Sequence, residues 1–67
     1  MDIKTLIRVI KLAQNRVATI RQQMLGNRTE AQMDLLYSKL AREQELIDNA
    51  TRDLNMKISQ QELEAAE

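Results

Sequence analysis

Few side chains in this sequence are equipped for chemistry, and their spacing argues against most of what they could do. Glu43, Glu45 and Asp48 form the densest carboxylate group. Calcium would need a loop with a central glycine and ligands at alternating positions, whereas these three fall on the spacing of a solvated helix face. Histidine and cysteine are both absent, which removes the commonest donors for a transition metal, and no cofactor is expected. Ser38 and Ser59 would act as nucleophiles only beside a base, and the usual base is missing. Gly26 is the sole glycine, so a glycine-rich phosphate loop is excluded. The chain reads as a non-enzyme.

One constellation points to a binding activity. Lys4, Arg8, Lys11 and Arg21, with Asn15 and Gln22 among them, make a polar and basic row on the first third of the chain. Small helical hairpins that dimerise into four-helix bundles can bind RNA through such a face, as the plasmid copy-number regulator Rop does. Nucleic-acid binders usually carry net positive charge and aromatic rings for base stacking. Here ten basic residues cancel ten acidic ones, and Tyr37 is the only aromatic. RNA binding is therefore an alternative, and nucleic acid is not the expected partner.

The elements that must position these groups are written in the apolar pattern. Ile3, Leu6, Ile10, Ala13, Val17, Ile20 and Met24 are spaced three and four apart without interruption. That heptad seam is the mark of a helix packed on another helix. A second seam follows at Met33, Leu36, Leu40, Ile47, Ala50 and Leu54. The expected fold is all-α, an antiparallel two-helix hairpin in one domain spanning residues 1–67. Helix 1 should cover about residues 2–25 and the turn 26–28. Helix 2 should begin near residue 29 and run to about residue 62, longer than the first. Gly26 is expected to stop helix 1 in the left-handed conformation that glycine adopts without steric cost. Thr29 with Gln32, or Asn27 with Glu30, would form a capping box for helix 2.

Charge supports this pairing. Residues 1–25 hold five basic side chains against Asp2 alone, and residues 29–67 hold nine acidic against four basic ones. Opposite charge on segments joined by a tight turn favours antiparallel association, screened over roughly 8–10 Å at physiological salt. Two registers satisfy the seams, one setting Ile20 near Met33 and the other near Leu40. Glu43 interrupts the second seam in both. It must reach solvent or meet Arg16 or another cation, because an unpaired carboxylate in the interior is costly. A polar seam residue can also set register or oligomeric state.

A chain of 67 residues buries only about 60% of its unfolded surface and is marginal on its own. Disulfides and metals are the usual supports for so small a chain, and neither is available here, which leaves association. The absent cysteines give no reason to invoke an oxidising compartment. Lys4, Arg8 and Lys11 break up the start of the chain, so no signal peptide is expected. No apolar run is long enough for a membrane span, and the expected location is cytoplasmic.

Association also follows from surplus apolar surface. Helix 1 carries Ile7, Val9 and Leu12 outside its seam, and helix 2 carries Leu35, Tyr37, Leu46, Met56 and Ile58. One seam cannot hide them all, and such widened faces belong to helices with more than one neighbour. These eight residues are the candidate partner-binding set, with Ile7, Val9, Leu12 and Leu46 as its centre. The end of helix 2, from about Lys57 with Leu63 beyond it, should overshoot helix 1. The expected partner is another helical protein or a second copy of this chain.

The opening of helix 2, Ala31-Gln32-Met33-Asp34-Leu35-Leu36-Tyr37, followed by Ala41, Glu43, Ile47 and Ala50, resembles the small YscE/EscE-like co-chaperones of type III secretion needle subunits. The resemblance covers about a third of the chain. It implies a hairpin that pairs with a tetratricopeptide-like chaperone and keeps a secreted subunit soluble before export. Its docking face would be the uncovered apolar side of helix 1. The small phosphatases of sporulation regulators are also helical hairpins, but their SQELD signature is not matched. Ser38-Lys39-Leu40-Ala41-Arg42 departs from it, and Ser59-Gln60-Gln61-Glu62-Leu63 falls too near the C-terminus.

Overall fold

The computed structural model describes residues 2–66. Helix α1 spans Ile3–Met24 and helix α2 spans Glu30–Ala66, packed against each other as an antiparallel hairpin. The expected fold is what the chain adopts. Its long dimension is 57 Å, close to the roughly 55 Å of a 37-residue α-helix. Helix α2 thus sets the length of the whole molecule, and it continues past the expected end near residue 62.

Each helix begins on a side-chain cap. Asp2 precedes α1, and its Oδ1 accepts the Thr5 N–H at 2.7 Å. The Asp2 carboxyl is held below its usual range by hydrogen bonding from the Thr5 side chain first and the Thr5 backbone N–H second. Thr29 precedes α2. Its hydroxyl accepts the Gln32 N–H at 3.2 Å while its own N–H donates to Gln32 Oε1 at 3.0 Å, a reciprocal capping box. Of the two boxes the sequence allows, this is the one formed.

The connection differs from expectation. It covers residues 25–29, and Gly26 does not adopt a left-handed backbone, since no described residue has positive φ. Helix α1 ends without one because other donors serve its last carbonyls. The Leu25 N–H reaches the Gln22 carbonyl at 3.1 Å, and the Arg28 Nε–H reaches the Gln23 carbonyl at 2.7 Å. Those carbonyls would otherwise be orphaned at a helix end.

Between the helices lies a thin core of Leu6, Ala13, Val17, Ile20, Leu36 and Ala50, the buried apolar residues among those described. Ile3, Ile10, Met24, Met33, Leu40, Ile47 and Leu54 flank them, half-buried. Every one of these belongs to the two seams. Ala13 and Ala50 are the small side chains of this core, and Leu6 is the largest one fully buried in it.

Arg16 fixes the register. Its Nε–H donates to Glu43 Oε1 at 2.9 Å across the hairpin. Val17 is therefore level with Glu43. Counting outward in opposite directions sets Ile20 against Leu40, Ala13 against Ile47, and Ile3 against Lys57. Of the two registers that satisfy the seams, the chain adopts the second. Lys57 is half-buried in the last layer, its aliphatic stem covering the end of the seam. From Ile58 to Ala65 every residue is exposed.

Candidate interaction surface

Heptad position decides which uncovered residues lie together. Leu12, Arg16, Thr19 and Gln23 of α1 share an open groove of about 520 Å³ with Lys39, Arg42 and Glu43 of α2. This defines one flank of the hairpin to which both helices contribute. Leu35, Arg42, Met56 and Leu63 fall on one seven-residue row of that flank, and Lys39, Leu46 and Asp53 on the row beside it. Val9, three residues before Leu12, completes the α1 side. Five of the eight candidate residues thus share the groove flank: Val9, Leu12, Leu35, Leu46 and Met56.

Ile7, Tyr37 and Ile58 are not brought to it. A shallow depression on the opposite flank is lined by Gln14, Arg21 and Gln44. Ile7 lies one heptad before Gln14, and Tyr37 and Ile58 lie one and two heptads from Gln44. The expected centre of Ile7, Val9, Leu12 and Leu46 is accordingly split. Ile7 and Val9 are two residues apart, which on a helix turns them about 200° from each other and onto opposite sides of the seam.

The groove flank presents large apolar side chains to solvent. Leu35 is 57% exposed, Leu12 50% and Leu46 39%, while Val9 is half-buried. Leu63, 69% exposed on the overhanging end, extends the same row. It belongs with the candidate set, and its seven-residue spacing from Met56 was the signal that places it there. Leu25, 85% exposed in the turn, lies outside both heptad patterns and carries no such signal.

Electrostatics grade along this flank. Toward the turn it bears Arg16, Lys39 and Arg42, and toward the open end it bears Asp2 and Asp53. Glu43 sits at the bottom of the groove with one oxygen bonded to Arg16. Its other oxygen, Oε2, is buried without a hydrogen-bond partner.

The basic row points elsewhere. Lys4, Arg8 and Lys11 border the outer side of α1 with Ile7 and Leu12, all exposed. Tyr37 is on the other helix. Among the described residues no group of three or more His, Cys, Asp or Glu side chains stands together as metal ligands would, and no helix is long and apolar enough to cross a membrane. Comparison with protein-family models, with curated proteins and with solved structures found no significant match to this chain.

Proposed function

We propose that this chain works without catalysis, as a helical module that binds another helical surface through its groove flank. The supporting observation is the amount of surface it leaves in water. A compact monomer of 7.8 kDa would expose about 4,400 Å² by the mass scaling of folded proteins. The hairpin exposes 5483 Å². The excess of about 1,100 Å² is larger than the roughly 800 Å² that one partner contributes to a standard interface. Exposed leucines concentrated on one flank give that excess a place to be buried.

Two forms of the module follow. The resemblance to needle-subunit co-chaperones suggests a cytoplasmic protein paired with a tetratricopeptide-like chaperone, keeping a secreted subunit soluble. Self-association into a four-helix bundle is the other form, and the charge gradient along the groove flank favours it. An RNA-binding bundle would in addition have to use Lys4, Arg8 and Lys11, which border the outer side of α1.

Hydrodynamic mass and thermal melting of the purified full chain test the reading. An assembly, or a monomer with little cooperative melting, is the expected result. A single chain that melts cooperatively, with a temperature independent of concentration, would show that the hairpin needs nothing on its groove flank.

A further inference from the structure

We propose that the occupant of the groove flank is a second copy of this chain, laid face to face and end over end, so that each hairpin's turn covers the other's overhang. The inference rests on the interaction reading above and names its partner. Three observations on the flank lead to it.

The first is symmetry of length. Helix α2 runs from Glu30 to Ala66, so its midpoint falls near Asp48, level with Leu12 on α1 in the observed register. A two-fold axis through that point superimposes the rods along their whole length, and α1 then faces the partner's α1 while α2 faces the partner's α2. Symmetric self-association of this isologous kind is the commonest form of oligomer.

The second is apolar matching. In the end-over-end arrangement, Leu12 meets Leu12 of the partner copy at the centre, with Val9 beside it on the same flank. Leu35 beside the turn meets Leu63 of the overhang, and the reverse, at each end. Leu63 lies beyond the level of Ile3, the first residue of α1, and is 69% exposed. The overhang is thus the part of each chain that the partner's turn region is positioned to cover.

The third is charge. The flank is basic toward the turn, at Arg16, Lys39 and Arg42, and acidic toward the open end, at Asp2 and Asp53. Turning one copy end over end brings Asp53 level with Glu43 of the other copy, whose charge Arg16 already engages, and within side-chain reach of its Arg42, twice per dimer. Stacking the copies with both turns at the same end would instead set Asp53 beside Thr5 and Val9 of the partner, with no cation on that flank to meet it, and would bring Arg42 toward Arg16, which Glu43 already engages. Like charges across an interface select against that orientation.

Sedimentation equilibrium of the full chain, with site-specific disulfide trapping, tests the proposal. The expected mass is twice the 7.8 kDa of one chain. Leu12→Glu with Leu46→Glu should reduce it to a monomer, while Ile7→Glu with Ile58→Glu on the opposite flank should leave a dimer. Arg42→Glu or Asp53→Lys alone should weaken the dimer about ten-fold, and the two together should restore it.

Orientation is read separately. The chain has no cysteine, so a mixture of Leu35→Cys and Leu63→Cys chains should cross-link to each other and not to themselves. Cross-linking of Leu35→Cys chains with one another overturns the end-over-end arrangement, as does a dimer indifferent to the Leu12 and Leu46 changes. A monomeric, poorly folded wild type overturns the second copy as occupant while an interaction role with a different helical protein stands. A monomeric, cooperatively folded wild type removes both.

Discussion

Replacing Glu43 by leucine should stabilise the hairpin, and the size of the effect can be worked from the geometry. Glu43 occupies a seam position where its neighbours one heptad away, Leu36 and Ala50, are buried. Its side chain is 21% exposed, and Oε2 is buried without a partner. Leaving such an oxygen unmatched costs about 1–3 kcal/mol, toward the lower figure when some solvent remains near. A mostly buried leucine in its place adds about 1–2 kcal/mol of transfer free energy.

Against this stands the loss of the Arg16 contact. Arg16 is 48% exposed, so solvent screening holds the pair to about 0.5–1 kcal/mol. Glutamate and leucine have similar helix propensity and contribute no further difference. The net expectation for Glu43→Leu is a gain of about 2 kcal/mol, or about 8–16 °C in melting temperature for a chain of this size. Arg16→Leu should act in the opposite sense, because it strands the whole carboxylate at the bottom of the groove.

Thermal unfolding followed by circular dichroism measures both. Chain concentration must be held fixed, since any self-association moves the melting temperature by mass action. A Glu43→Leu chain that melts at or below the wild-type temperature would refute the reasoning, because the carboxylate would then be stabilising where it sits.

Gly26→Ala should raise stability by about 0.4–1 kcal/mol by narrowing the unfolded ensemble. The nearest atoms an added Cβ would meet are those of the Arg28 guanidinium, at 3.7 Å or more, and Gly26 has no positive φ to preserve. Denaturant unfolding checks this, and a loss of stability would place Gly26 in left-handed backbone in solution. The Asp2 cap should give a pH dependence. Its depressed carboxyl contributes stability above the ordinary carboxylate range, and that contribution is lost as pH falls through the folded value. Asp2→Asn keeps an acceptor for the Thr5 N–H without titrating. It should therefore lessen the loss of helicity as pH falls below the ordinary carboxylate range, and an unchanged acid limb would exclude the cap as its source.

Much of the fold was legible because the seams are nearly free of exceptions. From Ile3 to Met24 and from Met33 to Leu54, every apolar heptad position in the sequence is buried or half-buried in the hairpin. Asp2 and Thr29 cap the helices as their types suggest, because a short oxygen-bearing side chain can reach the backbone N–H three residues on. The turn was misread at Gly26. A lone glycine after an apolar run usually marks a left-handed stop, but Arg28 reaches back to the Gln23 carbonyl, and a long-side-chain contact of that kind leaves no pattern in the sequence.

Register was ambiguous for a related reason. Both pairings match apolar layers equally well, and only the carboxylate distinguishes them. With Ile20 set against Met33, Glu43 would lie across from Ile10 with Val9 beside it and no cation on that flank of α1. In the observed pairing Arg16 occupies the place that Val9 would have taken. The candidate surface was legible as a list of residues and not as a face. Ile7 and Val9 are close in sequence, and only the seam between the helices, once located, shows that they look in opposite directions.

Tyr37 gives the molecule a built-in optical sensor with a defined viewpoint. It is the only aromatic residue, it is 56% exposed, and it stands on the side away from Leu12 and Leu46. Its fluorescence should ignore whatever seats itself along the leucine-lined side and respond to a molecule arriving on the other. A change in emission without a change in mass between copies would therefore reveal a visitor to the surface that a symmetric pair leaves open.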